Sequence, residues 1–284
     1  MAFVLPPANG KFIHAGGLAL HYIEDGVSTA PPLLLIHGLL ASTDAYEKVR
    51  ARLAAKYHLF ILDLPGHGYS DKRDDFSMTL ADQAATVAAF MEAVGLTKAS
   101  VAGQSMGGGI SLVFAARYPE KVDKLVVIDS ISYPFKMSLK GRLATIPVLG
   151  SFLVNKLYNR KILELFIKDE VYYDASLASA NEVDLMYAHF NTPAARRAMH
   201  RALVHLADVS WLATDIKKIR AETLVVWGSE DAINPVELAD LLLKDIPGSR
   251  KLIIEKCGHL PMNEAADAFC EGIIGFLDEG AKTE

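Results

Sequence analysis

Ala99-Ser100-Val101-Ala102-Gly103-Gln104-Ser105-Met106-Gly107-Gly108-Gly109-Ile110-Ser111-Leu112 is the stretch on which the reading of this chain turns. Residues 99–102 form a short apolar run suited to a buried strand. From Gly108 to Ala116 small and apolar residues continue as a helix. Between them stands Gly103-x-Ser105-x-Gly107. A serine on a sharp strand-to-helix turn exposes its hydroxyl, and glycines on either side let neighbouring backbone come close. The helix that starts there directs unpaired N–H groups toward any oxyanion that develops. This pattern marks Ser105 as a nucleophile rather than part of a Gly-rich structural turn.

Working outward, the flanks repeat a strand–helix rhythm. Leu33-Leu34-Leu35-Ile36 is a continuous apolar run ending at His37-Gly38, as expected of a strand buried on both faces. Residues 42–55 have helical spacing. Residues 57–62 form the next strand, closing on Asp63-Leu64-Pro65-Gly66-His67-Gly68-Tyr69-Ser70. Residues 79–94 read as a helix capped by Ser77 or Thr79. Further out, residues 11–14 and 18–24 form a hairpin through Gly16-Gly17. After the serine motif comes a strand over 124–129. Such alternation implies a mostly parallel sheet covered on both faces.

The rhythm breaks between Tyr133 and about Ile219, where helical patterns occur over 140–157, 161–167, 181–190 and 193–206 without a strand. It returns with a strand over 223–227, a helix over 235–245, a strand over 251–255 and a closing helix over 263–278. The expected organisation is a core made of 1–132 and 220–284, with a helical cap inserted over 133–219.

Composition narrows the classes. The 284 residues are 51% hydrophobic and 22% charged, with a net charge of -5 and no run of like charges. That argues against nucleic acid or an anionic membrane as the main partner. The N-terminus has no basic region ahead of an apolar one, and no run approaches the roughly 18 apolar residues of a spanning helix. No stable membrane insertion is expected. Cys257 and Cys270 make no disulfide framework and read as buried small hydrophobes. The simplest expectation is a cytoplasmic protein.

A serine nucleophile needs a base to take its proton and a carboxylate to orient that base. On a strand–helix alternation these follow in the order serine, acid, histidine, each beyond the end of a strand. The strand ending at Trp227 leads into Gly228-Ser229-Glu230-Asp231, and the strand ending at Glu255 into Lys256-Cys257-Gly258-His259. Asp231 and His259 therefore complete the set. Asp129, at another strand end, and Glu230, beside Asp231, stay open as alternative acids. His37 and His67 sit in loops near the site and read as structural, and the six other histidines as surface or satisfied groups. No His/Cys/Asp/Glu spacing suits a metal and no phosphate loop appears, so neither metal nor cofactor is implied.

These motifs make the chain similar to α/β-hydrolase-fold enzymes, the family of esterases, epoxide hydrolases, haloperoxidases and meta-cleavage-product hydrolases. The resemblance spans essentially the whole chain. It implies an eight-stranded, mostly parallel α/β sheet with helices on both faces and an inserted helical cap. It also implies Ser105, His259 and Asp231 as a triad, and an oxyanion hole from the N–H groups of Leu39 and Met106. Serine at the nucleophile position points to acyl transfer, because epoxide hydrolases and haloalkane dehalogenases of the family carry aspartate there. The expected substrate is a small to medium apolar carboxylic ester. Meta-cleavage-product hydrolases usually follow the catalytic histidine with tryptophan, where this chain has Leu260. C–C bond hydrolysis stays as one alternative and a low-turnover ligand-binding protein as another. Arg196 and Arg197 read as solvated charges, with a substrate carboxylate as the rival role. Phe152, Leu153 and Val154 are candidates for lining an acyl pocket, and an apolar cap surface leaves a homodimer open.

Overall fold

The structure, a computed structural model, describes residues 6–136 and 139–279. Eight strands form one sheet: β1 (Gly10–Ala15), β2 (Leu18–Asp25), β3 (Pro32–Ile36), β4 (His58–Leu62), β5 (Ala99–Gln104), β6 (Val122–Ile128), β7 (Glu222–Gly228) and β8 (Arg250–Ile254). They lie in the order β1-β2-β4-β3-β5-β6-β7-β8. The hairpin of β1 and β2 is antiparallel, and β3 to β8 run parallel.

The apolar runs seen in the sequence are the central strands, and their period of two divides the core between two faces. Leu34, Ile36, Val101 and Val127 point to one side, against α2 (Leu80–Ala93) and α3 (Met106–Arg117). Leu33, Leu35, Ala102 and Val126 point to the other, against α1 (Glu47–Ala54) and the final helix, α12 (Ala266–Asp278). Thr79 caps α2 by accepting the Asp82 N–H at 3.1 Å. Truncating a strand residue such as Leu35 to alanine costs about 2–5 kcal/mol in a core packed this tightly.

Between β6 and β7 lies a helical insert with no strand among its described residues: α4 (Leu139–Thr145), α5 (Pro147–Leu157), α6 (Arg160–Phe166), α7 (Ala180–Phe190), α8 (Pro193–Leu206) and α9 (Leu212–Ile216). Two sequence expectations are refined here. The helix expected over 140–157 is two helices, because Ile146 adopts the extended conformation that a following proline favours. The helix expected over 263–278 is also two, α11 (Pro261–Glu264) and α12 (Ala266–Asp278), parted at Ala265 by its non-helical backbone. The remaining helix, α10 (Glu237–Asp245), starts two residues later than expected. No helix among the described residues is long and apolar enough to cross a membrane.

Parallel strands end on the same edge. The loops after β3, β5, β6, β7 and β8 therefore bring His37–Leu40, Ser105, Asp129, Asp231 and His259 to one place, wherever they stand along the chain.

Candidate active site

Ser105 occupies the turn between β5 and α3 with φ of 55°, a left-handed conformation that a residue with a side chain adopts at a cost. Two backbone bonds hold it there: its N–H donates to Ile128 O at 2.9 Å, and its carbonyl accepts from Ile131 N at 3.1 Å. The glycines serve close approach. A Cβ on Gly107 would run into the carbonyl oxygens of Ile36 and His37, and one on Gly38 would come within 3.1 Å of Ser105 Cβ. The loop after β3 thus lies directly against the serine.

His259 donates from Nδ1 to Asp231 Oδ2 at 2.8 Å, with the Asp231 side chain fully buried. The other Asp231 oxygen accepts the N–H groups of Ile233 and Asn234 at 2.8 and 3.0 Å. With its proton on Nδ1, the ring leaves Nε2 as a base. The sequence did not single out Gln104, yet its Nε2 donates to the His259 carbonyl at 2.9 Å and ties the serine turn to the histidine loop. The sequence likewise passed over Glu264. Its carboxylate accepts the N–H groups of Gly258 at 3.0 Å and Tyr173 at 2.7 Å, joining that loop to the insert. Burial raises the Glu264 pKa. No spacing rule points to either residue, since each acts through backbone groups distant in sequence.

Of the two alternative acids, Glu230 is exposed and its carboxylate meets only the Ser229 hydroxyl among the described contacts. Asp129 is different. It is fully buried, its Oδ1 accepts the Gly228 N–H at 2.9 Å, and its carboxyl lies beside that of Asp231. Burial, and then the neighbouring Asp231 carboxylate, push its pKa well above the usual carboxylate range, so Asp129 is the neutral member of the pair. One ligand atom each from Asp129, Asp231 and His259 lies within 4.8 Å of the others. The direct bond from Nδ1 to Asp231 makes this a hydrogen-bonded chain, and a cation there would have to break it.

The loops beneath the serine are fixed by neutral histidines. His37 Nε2 accepts the Leu64 N–H at 3.1 Å, so its Nδ1 donates to Gly38 O at 2.8 Å. His67 donates from Nδ1 to Pro65 O at 3.0 Å and packs edge-on to Phe190 of α7. Burial lowers both pKa values, that of His67 to about 3. The Leu39 N–H finds no acceptor among the described residues, and the first turn of α3 leaves the Met106 N–H without an intrahelical partner.

The insert closes over the site: Ser105 and His259 are 8% and 7% exposed, and Val171 O accepts the His259 N–H at 2.8 Å. Val154, Leu39 and Leu40 pack against the cluster of Phe190, Ala195 and Met199, while Phe152 is exposed. Neither arginine is simply solvated. Arg197 donates from Nε and Nη2 to Asp74 at 2.9 Å each, joined by Arg201 at 3.2 Å. Arg196 lies over the Tyr158 ring and donates to Asn155 O at 3.1 Å.

Comparison with known proteins agrees with this architecture. Residues 31–146 match the family model described as alpha/beta hydrolase fold. Lipase 1 of Psychrobacter immobilis is 32% identical over 266 residues, covering 92% of this chain and 81% of the relative. The 2-hydroxymuconate semialdehyde hydrolase of Pseudomonas putida is 27% identical, covering 96% and 95%. The crystal structure of the meta-cleavage product hydrolase from Pseudomonas fluorescens IP01 superposes with a TM-score of 0.81 at 24% identity, covering 95% of this chain and 98% of that one, and shares the fold. The chain belongs to the α/β-hydrolase family.

Proposed function

We propose that this protein is a serine hydrolase that cleaves small to medium apolar carboxylic esters through an acyl-enzyme. The observation that carries the reading is the 2.8 Å bond from His259 Nδ1 to the buried Asp231, on a loop tied by Gln104 to the strained turn of Ser105. His259 Nε2 takes the Ser105 proton as Oγ attacks the ester carbonyl. The N–H groups of Leu39 and Met106 receive the oxyanion. Collapse expels the alcohol, which leaves with the proton from His259, and water activated by the same nitrogen releases the acid. Asp231 keeps the ring oriented and stabilises its protonated form. The apolar group around Val154, Phe190 and Met199 suits a hydrophobic acyl chain, and the insert acts as a cap.

The test is a p-nitrophenyl ester series of increasing acyl length on the parent and on Ser105→Ala. Turnover with a chain-length optimum, lost by several orders of magnitude in the variant, is expected. Equal rates in both proteins would sink the assignment. A second reading, C–C bond hydrolysis with the same triad, draws on the near full-length likeness to a 2-hydroxymuconate semialdehyde hydrolase. Leu260 after the histidine weighs against it. Bleaching of a yellow dienone substrate faster than ester cleavage would reverse the order of the two readings.

A further inference from the structure

The balanced charge of the whole chain conceals an asymmetry in the insert. Residues 130–163 hold six of the 29 lysines and arginines (Lys136, Lys140, Arg142, Lys156, Arg160 and Lys161) and none of the 34 aspartates and glutamates. No more than two of these cations are consecutive, so no run of like charges is visible there. The fold places Lys136 ahead of α4 and the other five on α4, α5 and α6. The same region holds seven of the fourteen large hydrophobic side chains that stand exposed among the described residues. Val148 is 84% exposed, Leu139 70% and Phe152 58%. Single exposed apolar residues are ordinary, but a concentration on two mutually packed helices without an acidic residue marks an interaction surface.

We propose that the face formed by α4 and α5 docks on an anionic lipid surface. Val148 and Phe152 enter the headgroup region, and Lys136, Arg142 and Lys156 meet the phosphates. The charge decides between occupants. A two-fold dimer through this face would set the patch against itself and bring like charges together. An anionic bilayer complements both properties, since apolar side chains enter its boundary while lysine and arginine reach back to the headgroups. No spanning helix is involved. The face lies outside the triad and does not depend on the role of Ser105.

The test uses the full chain carrying Ser105→Ala, so that lipid is bound without hydrolysis. Partition onto vesicles of phosphatidylglycerol and phosphatidylcholine is compared with partition onto phosphatidylcholine alone. At least tenfold preference for the anionic vesicles is expected, weakening as salt is raised and charges are screened. Val148→Glu with Phe152→Glu should lower that partition at least tenfold. In the otherwise native chain the same pair should leave turnover of a short water-soluble ester unchanged, because both positions face solvent. Arg142→Glu with Lys156→Glu should remove the anionic preference alone. Equal partition onto both vesicle types, or binding to neither, overturns the proposal. So does a dimer that the Val148 and Phe152 changes dissociate, because a second copy would then cover the face.

Discussion

Asp129 and Asp231, at the ends of the adjacent strands β6 and β7, meet carboxyl to carboxyl behind His259, with Asp129 neutral and Asp231 accepting from the histidine. Two buried carboxylates so close cannot both be charged, and their surroundings determine which keeps its proton. Asp231 receives two backbone N–H groups and the imidazole, whereas Asp129 Oδ2 meets no N–H donor.

Asp129→Asn should therefore be nearly silent. The amide oxygen still accepts from Gly228 N, and the amide, like the protonated carboxyl, is neutral beside Asp231. Ester turnover within about threefold of the parent is expected, with loss of one protonated-carboxyl band in the infrared difference spectrum. A fall comparable to that of Asp231→Asn would mean that Asp129 carries the working charge.

Asp231→Asn should be severe. Its amide presents a donor toward His259 Nδ1 and turns the proton-bearing nitrogen the wrong way. A kcat loss of about 10³–10⁴-fold is expected, with the fold intact by circular dichroism. Glu230→Gln, next door and exposed, should leave kcat unchanged.

Acid should weaken the protein well before its carboxylates titrate. Burial keeps His67 neutral, with its pKa near 3, and lowers His37 as well. Both bind protons near pH 6.5 once unfolded. From there down to about pH 3 the unfolded state holds more protons, so stability present above pH 6.5 is lost as pH falls. His67 contributes about 1.4 kcal/mol per pH unit inside that window, and His37 acts in the same direction. Urea titrations between pH 7.5 and 5 should show the decline, shallower in His67→Asn. Parallel slopes in the two proteins would show that His67 titrates alike in both states.

Asp74 joins the insert to the loop after β4 through Arg197 and Arg201, on the surface, where screening leaves an ion pair little weight in global stability. Asp74→Asn should barely move the melting temperature. It should speed proteolytic cleavage within the insert, and high salt should reproduce that effect on the parent. Unchanged cleavage would show that the cap is held by its apolar contacts alone.

The parts of the site that were legible in the sequence are those whose chemistry is local. A serine between two glycines at a strand end, and an aspartate and a histidine each just past a strand, announce themselves because parallel strands must end on one edge. Gln104, Glu264 and Asp74 carried no such signal. Their partners are a carbonyl 155 residues away, an N–H 91 away and arginines more than 120 away. The split helices at Pro147 and Ala265 mark the same boundary. Periodicity shows which face is apolar, not where packing bends the backbone.

The sequence by itself determined the sheet, the order of the strand ends and the gathering of Ser105, Asp129, Asp231 and His259 on one edge, because hydrophobic period and turn chemistry act over a few residues. Only the tertiary structure decided which carboxyl of the buried pair faces the histidine, what the arginines of α8 hold, and that Leu139 of α4 and Val148 and Phe152 of α5 face outward. Those outcomes depend on burial and on distances between groups remote in the chain, which local pattern does not encode.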